Sequence, residues 1–454
     1  MFSRRAISRG AKLAAQRQGP SQLARGYAAA ASTPSFNYET TDVAGVKVAT
    51  RDSHGPTTKL AVIAKGGTRY ESLPGLTVGL EEFAFKNTKS RSALRITREA
   101  ELLGGQLTAY HTREALVVEA SFLRQDIPYF AELLAEVISQ TKYTTFEFHE
   151  DVERVLHLKQ AKIAGDVSAL ALDAAHSVAF HSGLGASLYP SPSTPLKGYL
   201  NEHTIASYAD AVYNKSNIAL VGDGATTTAL HKWTQQFFKS VPASGSSLNS
   251  KASTYYGGEQ RTAHSGGNSL VVAFPGSSFG SFKPEVAVLA ALLGGQPNVK
   301  WSPGFSILSK ATAAAPGAVA SATNLTYSDA GLLTIQINGT AASIRKTAEE
   351  AVKALKAVAE GSASKEDLTK AIARAKFDAL EASQSGVNTL LLAGSGIVQG
   401  GKPFQVTETV ESIGGVTAEK LKATAKSLLE GKATVSAVGD LHVLPYAEEL
   451  GLKV

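Results

Sequence analysis

The hydrophobic pattern opens the folded part of the chain with a short apolar run and then an amphipathic stretch. The run Thr57–Lys65 ends at Gly66–Gly67 and predicts a buried strand followed by a turn, since glycine readily adopts positive φ. Beyond the turn, Leu76, Leu80 and Phe83 recur three to four positions apart, so they share one face of a predicted helix. The first predicted unit is therefore a strand, a glycine turn and a helix.

The strand pattern of the first half recurs in the second half. Three apolar runs return in the same order: LAVIA (60–64) as LVVAF (270–274), ALVVEASF (115–122) as GLLTIQIN (331–338), and NIALVGD (217–223) as TVSAVGD (434–440). An amphipathic helical stretch follows the second run in both halves. We therefore expect an α+β fold with two homologous halves, each a mixed β-sheet covered by helices.

Composition suggests where these halves begin and end. Residues 240–258 are rich in serine and glycine, which is typical of a linker. We expect an N-terminal half over residues 36–239 and a C-terminal half over residues 259–454, with the linker between them. The residues before position 36 have a different composition and a different predicted role.

The N-terminal segment has the charge pattern of a targeting signal. Residues 1–31 contain six basic residues and no acidic residue, separated mainly by alanine, serine and glutamine. This composition is typical of a mitochondrial transit peptide, which we assign to residues 1–27. Arg25 and Gly26 precede Tyr27, and we expect cleavage between Tyr27 and Ala28. A basic arm for nucleic acid would carry the same charge but would not need a cleavage site.

The remaining chain has no net charge and no predicted membrane span. The whole chain has 45 Lys and Arg against 39 Asp and Glu, a net charge of +6, and residues 1–31 hold all of this surplus. The processed chain is therefore neutral and has no electrostatic basis for binding nucleic acid or acidic lipid. No stretch reaches the ~20 apolar residues of a membrane-spanning helix, and the segment 388–398 is too short. We expect a protein without a transmembrane helix, held at a membrane only through partners.

The stretch Gly75–Thr88 (GLTVGLEEFAFKNT) carries the most specific motif of the chain. It resembles the start of the pitrilysin-type, insulinase-like metallopeptidase family, in which this helix holds an inverted zinc motif, H-x-x-E-H. The frame around that motif matches at Gly75, Phe85, Lys86 and Thr88. The resemblance implies the fold of these peptidases.

The positions that carry the zinc chemistry do not match. A catalytic zinc site needs three protein ligands. In this family it also needs a glutamate that deprotonates the metal-bound water. By the resemblance, the first ligand position is Val78, the base is Glu81, the second ligand position is Glu82 and the third is Lys159. Val78 has no donor atom, and the ammonium of Lys159 would repel a cation and pair with Glu81 or Glu82. We therefore expect a homologue that is not an enzyme and binds no metal, with Glu81, Glu82 and Lys159 close together.

No other side chain is expected to replace the missing ligands. His157 lies about 200° from Lys159 around the predicted helix and so faces away, and the ten histidines form no zinc motif. The chain also lacks cysteine, which excludes disulfides, thiol catalysis and thiolate ligands for iron–sulfur clusters. We assign no catalytic residue, no cofactor-binding residue and no cofactor.

A second resemblance indicates to which branch of this peptidase family the chain is related. The pair Gly294–Gly295, followed by Pro297, Val299 and Lys300, is similar to the core proteins of ubiquinol–cytochrome c reductase, respiratory complex III. The resemblance implies a structural subunit on the matrix side of the mitochondrial inner membrane, peripheral to it, that supports assembly and stability of a dimeric multi-subunit complex in electron transport. The implied partners are core protein 1, cytochrome b, cytochrome c1 and the Rieske protein.

Two other functions stay open from the sequence. A non-catalytic subunit of a mitochondrial processing peptidase would bind presequences while another chain supplies zinc, but the loop at 294–304 is shorter than the glycine-rich loop of such subunits. An active zinc peptidase would require that Val78, Glu82 and Lys159 are not the ligand positions. Metal content and cleavage of a basic presequence peptide separate these alternatives.

Overall fold

The computed structural model describes residues 37–246, 248, 251–295, 304, 306–384 and 386–454. The expected transit peptide, with its cleavage site at Tyr27 and Ala28, lies outside the described residues. The same holds for Pro297, Val299 and Lys300 in the loop after Gly295. The described part of the chain contains two β-sheets with helices on both faces.

The first sheet has six strands. They are β1 (Glu39–Val43), β2 (Val46–Arg51), β3 (Thr57–Ala64), β4 (Gln106–His111), β5 (Leu116–Leu123) and β6 (Ile218–Asp223). Their order is β1-β2-β6-β3-β5-β4. Only the pair β2–β6 is parallel, and the other neighbours are antiparallel.

The second sheet has five strands. They are β7 (Gly258–Ala263), β8 (Asn268–Pro275), β9 (Ala318–Thr326), β10 (Gly331–Gly339) and β11 (Thr434–Gly439). Their order is β7-β11-β8-β10-β9, and only β7–β11 is parallel. This arrangement equals that of β2-β6-β3-β5-β4, so the two sheets share one topology. The α+β class and the internal repeat predicted from the sequence are confirmed.

The helices separate the strands along the chain. Those of seven or more residues are α1 (Leu76–Glu82), α2 (Ala93–Leu102), α3 (Ile127–Gln140), α4 (Glu153–Gly165), α5 (Val167–Phe180), α6 (Glu202–Val212), α7 (Thr227–Phe237), α8 (Pro284–Leu293), α9 (Ile307–Ala314), α10 (Ala341–Glu360), α11 (Lys365–Gln384), α12 (Gly386–Gly400), α13 (Val406–Gly414) and α14 (Ala418–Glu430). A helical turn, Thr145–Glu147, and a π-helical turn, Phe148–Val152, lead into α4.

Each sheet has one face on helices of its own half and the other face on a helix from the other half. Helix α5 follows the first-half strands β1–β5 but packs on the second sheet, where Ala171, Ala175 and Phe180 share a buried cluster with Val271 and Val438. Helix α12 packs in turn on the first sheet through the cluster of Leu390, Ala393, Ile397, Ile63 and Val221. This exchange joins the halves through two apolar interfaces.

The pair Gly66–Gly67 differs from the sequence-based prediction. We expected it to provide a positive φ for the turn after β3, but neither residue has a positive φ. The structure requires small residues there for another reason. A Cβ at Gly66 would lie 2.5 Å from Val212, and one at Gly67 would lie 2.4 Å from the backbone of Arg113.

Within the described ranges, no single helix is long and apolar enough to span a membrane. The helical segments Thr145–Gly165 and Val167–Phe180 reach that length and apolarity only as a pair, which is bent by 93°.

Candidate functional site

Helix α1 positions the two carboxylates of the candidate site. The helix has only seven residues, and Leu76, Leu80 and Phe83 are at most 3% exposed. The burial of these three residues confirms the face predicted from their spacing. Because that face is fixed against the core, Glu81 and Glu82 reach a side chain of α4.

That side chain is Lys159, which lies between the two carboxylates. Its Nζ atom is 2.6 Å from Glu81 Oε1 and forms a second ion pair with Glu82. The side chains of Glu81, Glu82 and Lys159 are 8%, 19% and 27% exposed, so the group is largely removed from solvent. The prediction that these three residues lie close together is confirmed.

The pKa values of this group are set by burial and by the ion pairs. Burial alone would raise the pKa of the Glu81 carboxyl, but hydrogen bonds from His111 and Lys159 outweigh burial and lower this pKa below its usual range. Burial also opposes the charge on Lys159, yet its bonds to Glu81 and Glu82 raise the pKa of the ammonium. Glu81 and Lys159 are therefore both charged at neutral pH.

The structure adds His111, which the sequence analysis did not assign to the site. His111 ends the edge strand β4, and its Nδ1 atom is hydrogen-bonded to Glu81 Oε2. Its Nε2 atom lies 2.9 Å from the carbonyl oxygen of Leu188. No sequence motif relates His111 to Glu81. The two residues meet only because β4 packs beside α1. The sequence analysis considered His157 and did not consider His111.

The two contacts of His111 restrict its protonation. The carbonyl of Leu188 only accepts hydrogen bonds, so Nε2 carries a proton. The other nitrogen, Nδ1, faces a carboxylate oxygen, and one proton must lie between them. Both ring nitrogens of His111 are therefore engaged within the protein.

A loop covers the group from the side of α4. Tyr189 packs its ring against the ring of His111 at 5.1 Å between centroids, and Lys159 Nζ lies 5.8 Å from the same tyrosine ring. Gln160, the residue after Lys159, donates hydrogen bonds to the carbonyls of Pro190 and Ser191 at 3.2 and 3.1 Å. The residues after Leu188 therefore hold α4 and the site together.

The matching frame residues have structural contacts rather than contacts with the charged group. Gly75 precedes α1 with φ of 93°, a left-handed conformation that suits glycine. Lys86 pairs with Asp151 at 2.6 Å, and the hydroxyl of Thr88 bonds to buried Glu136. Gly75 therefore begins α1, and the contacts of Lys86 and Thr88 hold the turn that follows it, so these frame residues have structural roles of their own.

The other predicted site positions lie apart from any metal-binding arrangement. Val78 is 1% exposed and belongs to the apolar core. His157 bonds to Gln160 at 3.0 Å, lies 3.8 Å from Glu153 and is half exposed. Over the described ranges, no three His, Cys, Asp or Glu side chains stand in an arrangement that fits a metal ion.

Comparison with family models places both halves in one peptidase family. Residues 47–190 match the model described as insulinase, peptidase family M16. Residues 200–375 match the model described as the peptidase M16 inactive domain. The first match contains Val78, Glu81, Glu82 and Lys159.

Comparison with individual proteins gives full-length relatives. A protein of Neurospora crassa named cytochrome b-c1 complex subunit 2, mitochondrial, is 65% identical over 100% of both chains. Proteins with the same name from Yarrowia lipolytica and Homo sapiens are 37% and 27% identical over 91% and 89% of this chain, and over 97% and 90% of their own length.

Proposed function

We propose a structural, non-catalytic function for this chain, which belongs to the insulinase family (peptidase family M16). It acts as a core subunit of mitochondrial respiratory complex III, the cytochrome b-c1 complex, and supports the assembly and stability of that complex. The relatives named as subunit 2 of this complex, one of them 65% identical over the full length of both chains, support this proposal.

The absence of catalysis is supported by one observation above all. The ammonium of Lys159 pairs with both Glu81 and Glu82, which are the base and the second-ligand position of the peptidase motif. A metal ion in contact with these carboxylates would have to displace a cation that they already bind. The loss of that pairing would leave a buried charge without a partner, which is costly.

The remaining donors do not fit a catalytic zinc ion. Zinc in such sites takes three protein ligands and one water. Val78 supplies no donor atom, and His111 already bonds to Glu81 and to the carbonyl of Leu188. We therefore assign these positions to a degenerate zinc site, with no metal, no catalytic residue and no cofactor of its own.

The proposal includes a location and partners. The chain lies on the matrix side of the inner membrane, peripheral to it, beside core protein 1, cytochrome b, cytochrome c1 and the Rieske protein. The mitochondrial names of the relatives and the basic segment 1–27, with expected cleavage after Tyr27, support import into this compartment. Two peptidase-like halves, residues 36–239 and 259–454, then provide the surfaces that contact other subunits.

The first experiment measures metal and peptidase activity together. The processed chain, residues 28–454, is purified, its zinc is measured per mole of chain, and a basic presequence peptide is tested as substrate. We expect far less than one zinc per chain and no cleavage. Stoichiometric zinc that disappears in the E81Q variant, together with cleavage, would show that the chain is a peptidase.

The second experiment identifies the complex in which the chain resides. Mitochondria that carry a tagged copy are solubilised in mild detergent and the tagged assembly is isolated. We expect haem absorbance and peptides of cytochrome b and cytochrome c1 in the isolate. Co-purification with a zinc-containing soluble peptidase and no haem would instead favour the processing-peptidase alternative.

A further inference from the structure

The side chain of Arg69 connects parts of the chain that are distant in sequence. Arg69 lies in the turn between β3 and α1, and its Nη1 atom donates to Glu114 Oε1 at 2.5 Å. Its two Nη atoms donate to both carboxylate oxygens of Asp329, at 2.8 and 2.6 Å. Its Nη2 atom also donates to the backbone carbonyl of Lys251 at 2.9 Å. One guanidinium therefore bonds to the first half, to the second half and to the segment between α7 and β7.

The two carboxylates that face Arg69 are also held by donors from other segments. Glu114, in the turn between β4 and β5, accepts the backbone N–H of Ser328 at 2.9 Å and the hydroxyl of the same serine at 2.5 Å. Asp329 follows Ser328 in the turn between β9 and β10, and its Oδ2 atom accepts the backbone N–H of Ser253 at 2.8 Å. Glu114 thus joins the first half to the second, and Asp329 joins the second half to the segment that contains Lys251.

The group is charged and largely removed from solvent. The side chains of Arg69 and Glu114 are 4% and 7% exposed, and that of Asp329 is 32% exposed. Burial alone would raise the pKa of the Asp329 carboxyl, but hydrogen bonds from Arg69 and Ser253 outweigh burial and lower this pKa below its usual range. A guanidinium that bonds to a carboxylate through two N–H groups fixes direction as well as distance. These ion pairs are therefore stronger than pairs on an open surface.

The segment that follows Lys251 is anchored a second time before β7. The backbone N–H of Tyr256 donates to the carbonyl of Ala179 on α5 at 2.9 Å, and the Tyr256 ring stacks on His181. At the other end, Lys251 and Ser253 are held by Arg69 and Asp329, while the side chain of Lys251 is exposed. The segment is therefore accessible to solvent but held at both ends by the folded body.

We propose that Arg69, Glu114 and Asp329 form a clasp that holds the segment Lys251–Ser253 and the β9–β10 turn against the first half. While the clasp is closed, the carbonyl of Lys251 is bonded to Arg69, so the peptide bond after this lysine does not enter a protease. Loss of the clasp opens the segment locally and leaves both sheets folded. The proposal does not depend on the Glu81–Lys159 group or on the role in complex III.

Limited trypsin digestion of the processed chain tests the clasp, because trypsin cleaves after exposed lysines such as Lys251. When a segment opens and closes rapidly, its cleavage rate follows the population of the open form. D329N keeps the shape of the side chain but removes its charge and one acceptor oxygen. We expect cleavage after Lys251 to become about tenfold faster or more, which corresponds to about 1.4 kcal/mol in the opening equilibrium. Mass spectrometry of the fragments identifies the cleaved bond, and an unchanged rate there would overturn the proposal.

The pair of Arg124 and Asp52 provides a matched control. It has the same geometry with two bonds, at 2.8 and 2.7 Å, but it joins parts of the first half only. We expect D52N to leave the cleavage rate after Lys251 unchanged. An acceleration in D52N equal to that in D329N would show a general loss of stability instead of an opened clasp, and it would contradict the proposal.

R69K tests the same clasp without loss of its positive charge. Lysine cannot form the planar two-bonded contact with Asp329, so we expect a cleavage rate after Lys251 between those of wild type and D329N. Hydrogen exchange gives a readout without a protease: the amide of Ser253 is expected to exchange faster in both variants, while that of Tyr256 keeps its wild-type rate. Wild-type exchange of the Ser253 amide in R69K and D329N would show that the clasp does not hold this segment.

Discussion

Lys159 Nζ lies 2.6 Å from an oxygen of Glu81, the residue that the resemblance assigns to the base position of the peptidase motif. The same carboxylate group bonds to His111 through its other oxygen, so both of its oxygens are used within the protein. Glu81 is therefore part of a closed charge network and not a base that awaits a metal-bound water. The retained glutamate contributes to structure in this arrangement.

The first prediction concerns the removal of the lysine charge. K159M keeps most of the apolar stem but leaves Glu81 and Glu82 without their cation, and Glu81 is only 8% exposed. We expect the free energy of unfolding to fall by about 1–3 kcal/mol, less than for a fully buried pair because Lys159 is partly exposed. Urea unfolding of the processed chain measures this loss.

Two further variants make that measurement specific. In E81Q/K159M the buried charge is removed together with its partner, so we expect most of the lost stability to return. K162M removes a lysine of the same helix outside the group and controls for helix propensity. An unfolding free energy of K159M equal to that of the wild type would contradict the structural role assigned to the ion pair.

The second prediction is the pH range over which this pair stabilises the fold. The folded pKa of Glu81 is lowered, so its contribution is present above the usual glutamate pKa of about 4.3 and is lost as pH falls through the lowered value. The folded pKa of Lys159 is raised, so its contribution is present below about 10.4 and is lost as pH rises through the raised value. The difference in stability between wild type and K159M is therefore expected to be constant from about pH 5 to 10 and to shrink on both sides, as measured by urea titrations. A difference that shrinks between pH 5 and 8 would contradict this assignment.

The sequence predicted the repeated strands because each apolar run is local information. LAVIA (60–64) and LVVAF (270–274) are buried on both faces in β3 and β8. Each is therefore an unbroken apolar run that is easily recognised in the sequence. The exchange of α5 and α12 between halves was not predicted. Their apolar residues indicate that they are buried, but periodicity does not state which sheet they cover.

The charged site was predicted only as far as its motif extended. The spacing within Gly75–Thr88 and its relation to Lys159 gave the positions of Glu81, Glu82 and Lys159. His111 lies on an edge strand with no motif, and its contact with Glu81 depends on the packing of β4 beside α1. The predicted reason for glycine at Gly66–Gly67 was wrong on similar grounds. The close approach of the Arg113 backbone to Gly67 requires glycine there, and not a local dihedral preference.

The third prediction concerns acid and His176. Burial, with a smaller effect of the nearby Arg113 charge, lowers the pKa of His176 to about 3. Its Nδ1 atom donates to the carbonyl of Leu172 at 2.7 Å, and its Nε2 atom lies 2.8 Å from the hydroxyl of Tyr327 in the second half. The neutral ring thus connects α5 to the loop before β10.

The pH dependence follows from which state binds the proton. Above the usual histidine pKa of about 6.5, His176 is neutral in the folded and unfolded states and adds no pH dependence. Below it, only the unfolded chain binds the proton, so stability falls as pH decreases, by up to about 1.4 kcal/mol per pH unit. We expect the stability of H176Q to fall less steeply than that of wild type between pH 6.5 and 4, by up to this amount. Equal slopes in urea titrations would show that His176 is not kept neutral by the fold.

The fourth prediction tests how closely α12 packs on the first sheet. A Cβ at Gly394 would lie 2.6 Å from Ile63 Cδ1, so G394A forces the helix or the isoleucine to move. We expect a loss of about 1–3 kcal/mol in the free energy of unfolding, as is usual for overpacked cores.

Gly400 lies in the same helix with no atom within 4 Å of its added Cβ. G400A therefore adds only helix propensity and is expected to be neutral or more stable by up to about 1 kcal/mol. The opposite signs of the two alanine substitutions isolate contact with Ile63 from the intrinsic preference of the helix. If G394A were as stable as G400A, α12 would have room to shift, and the exchanged helix would not fix the two halves against each other.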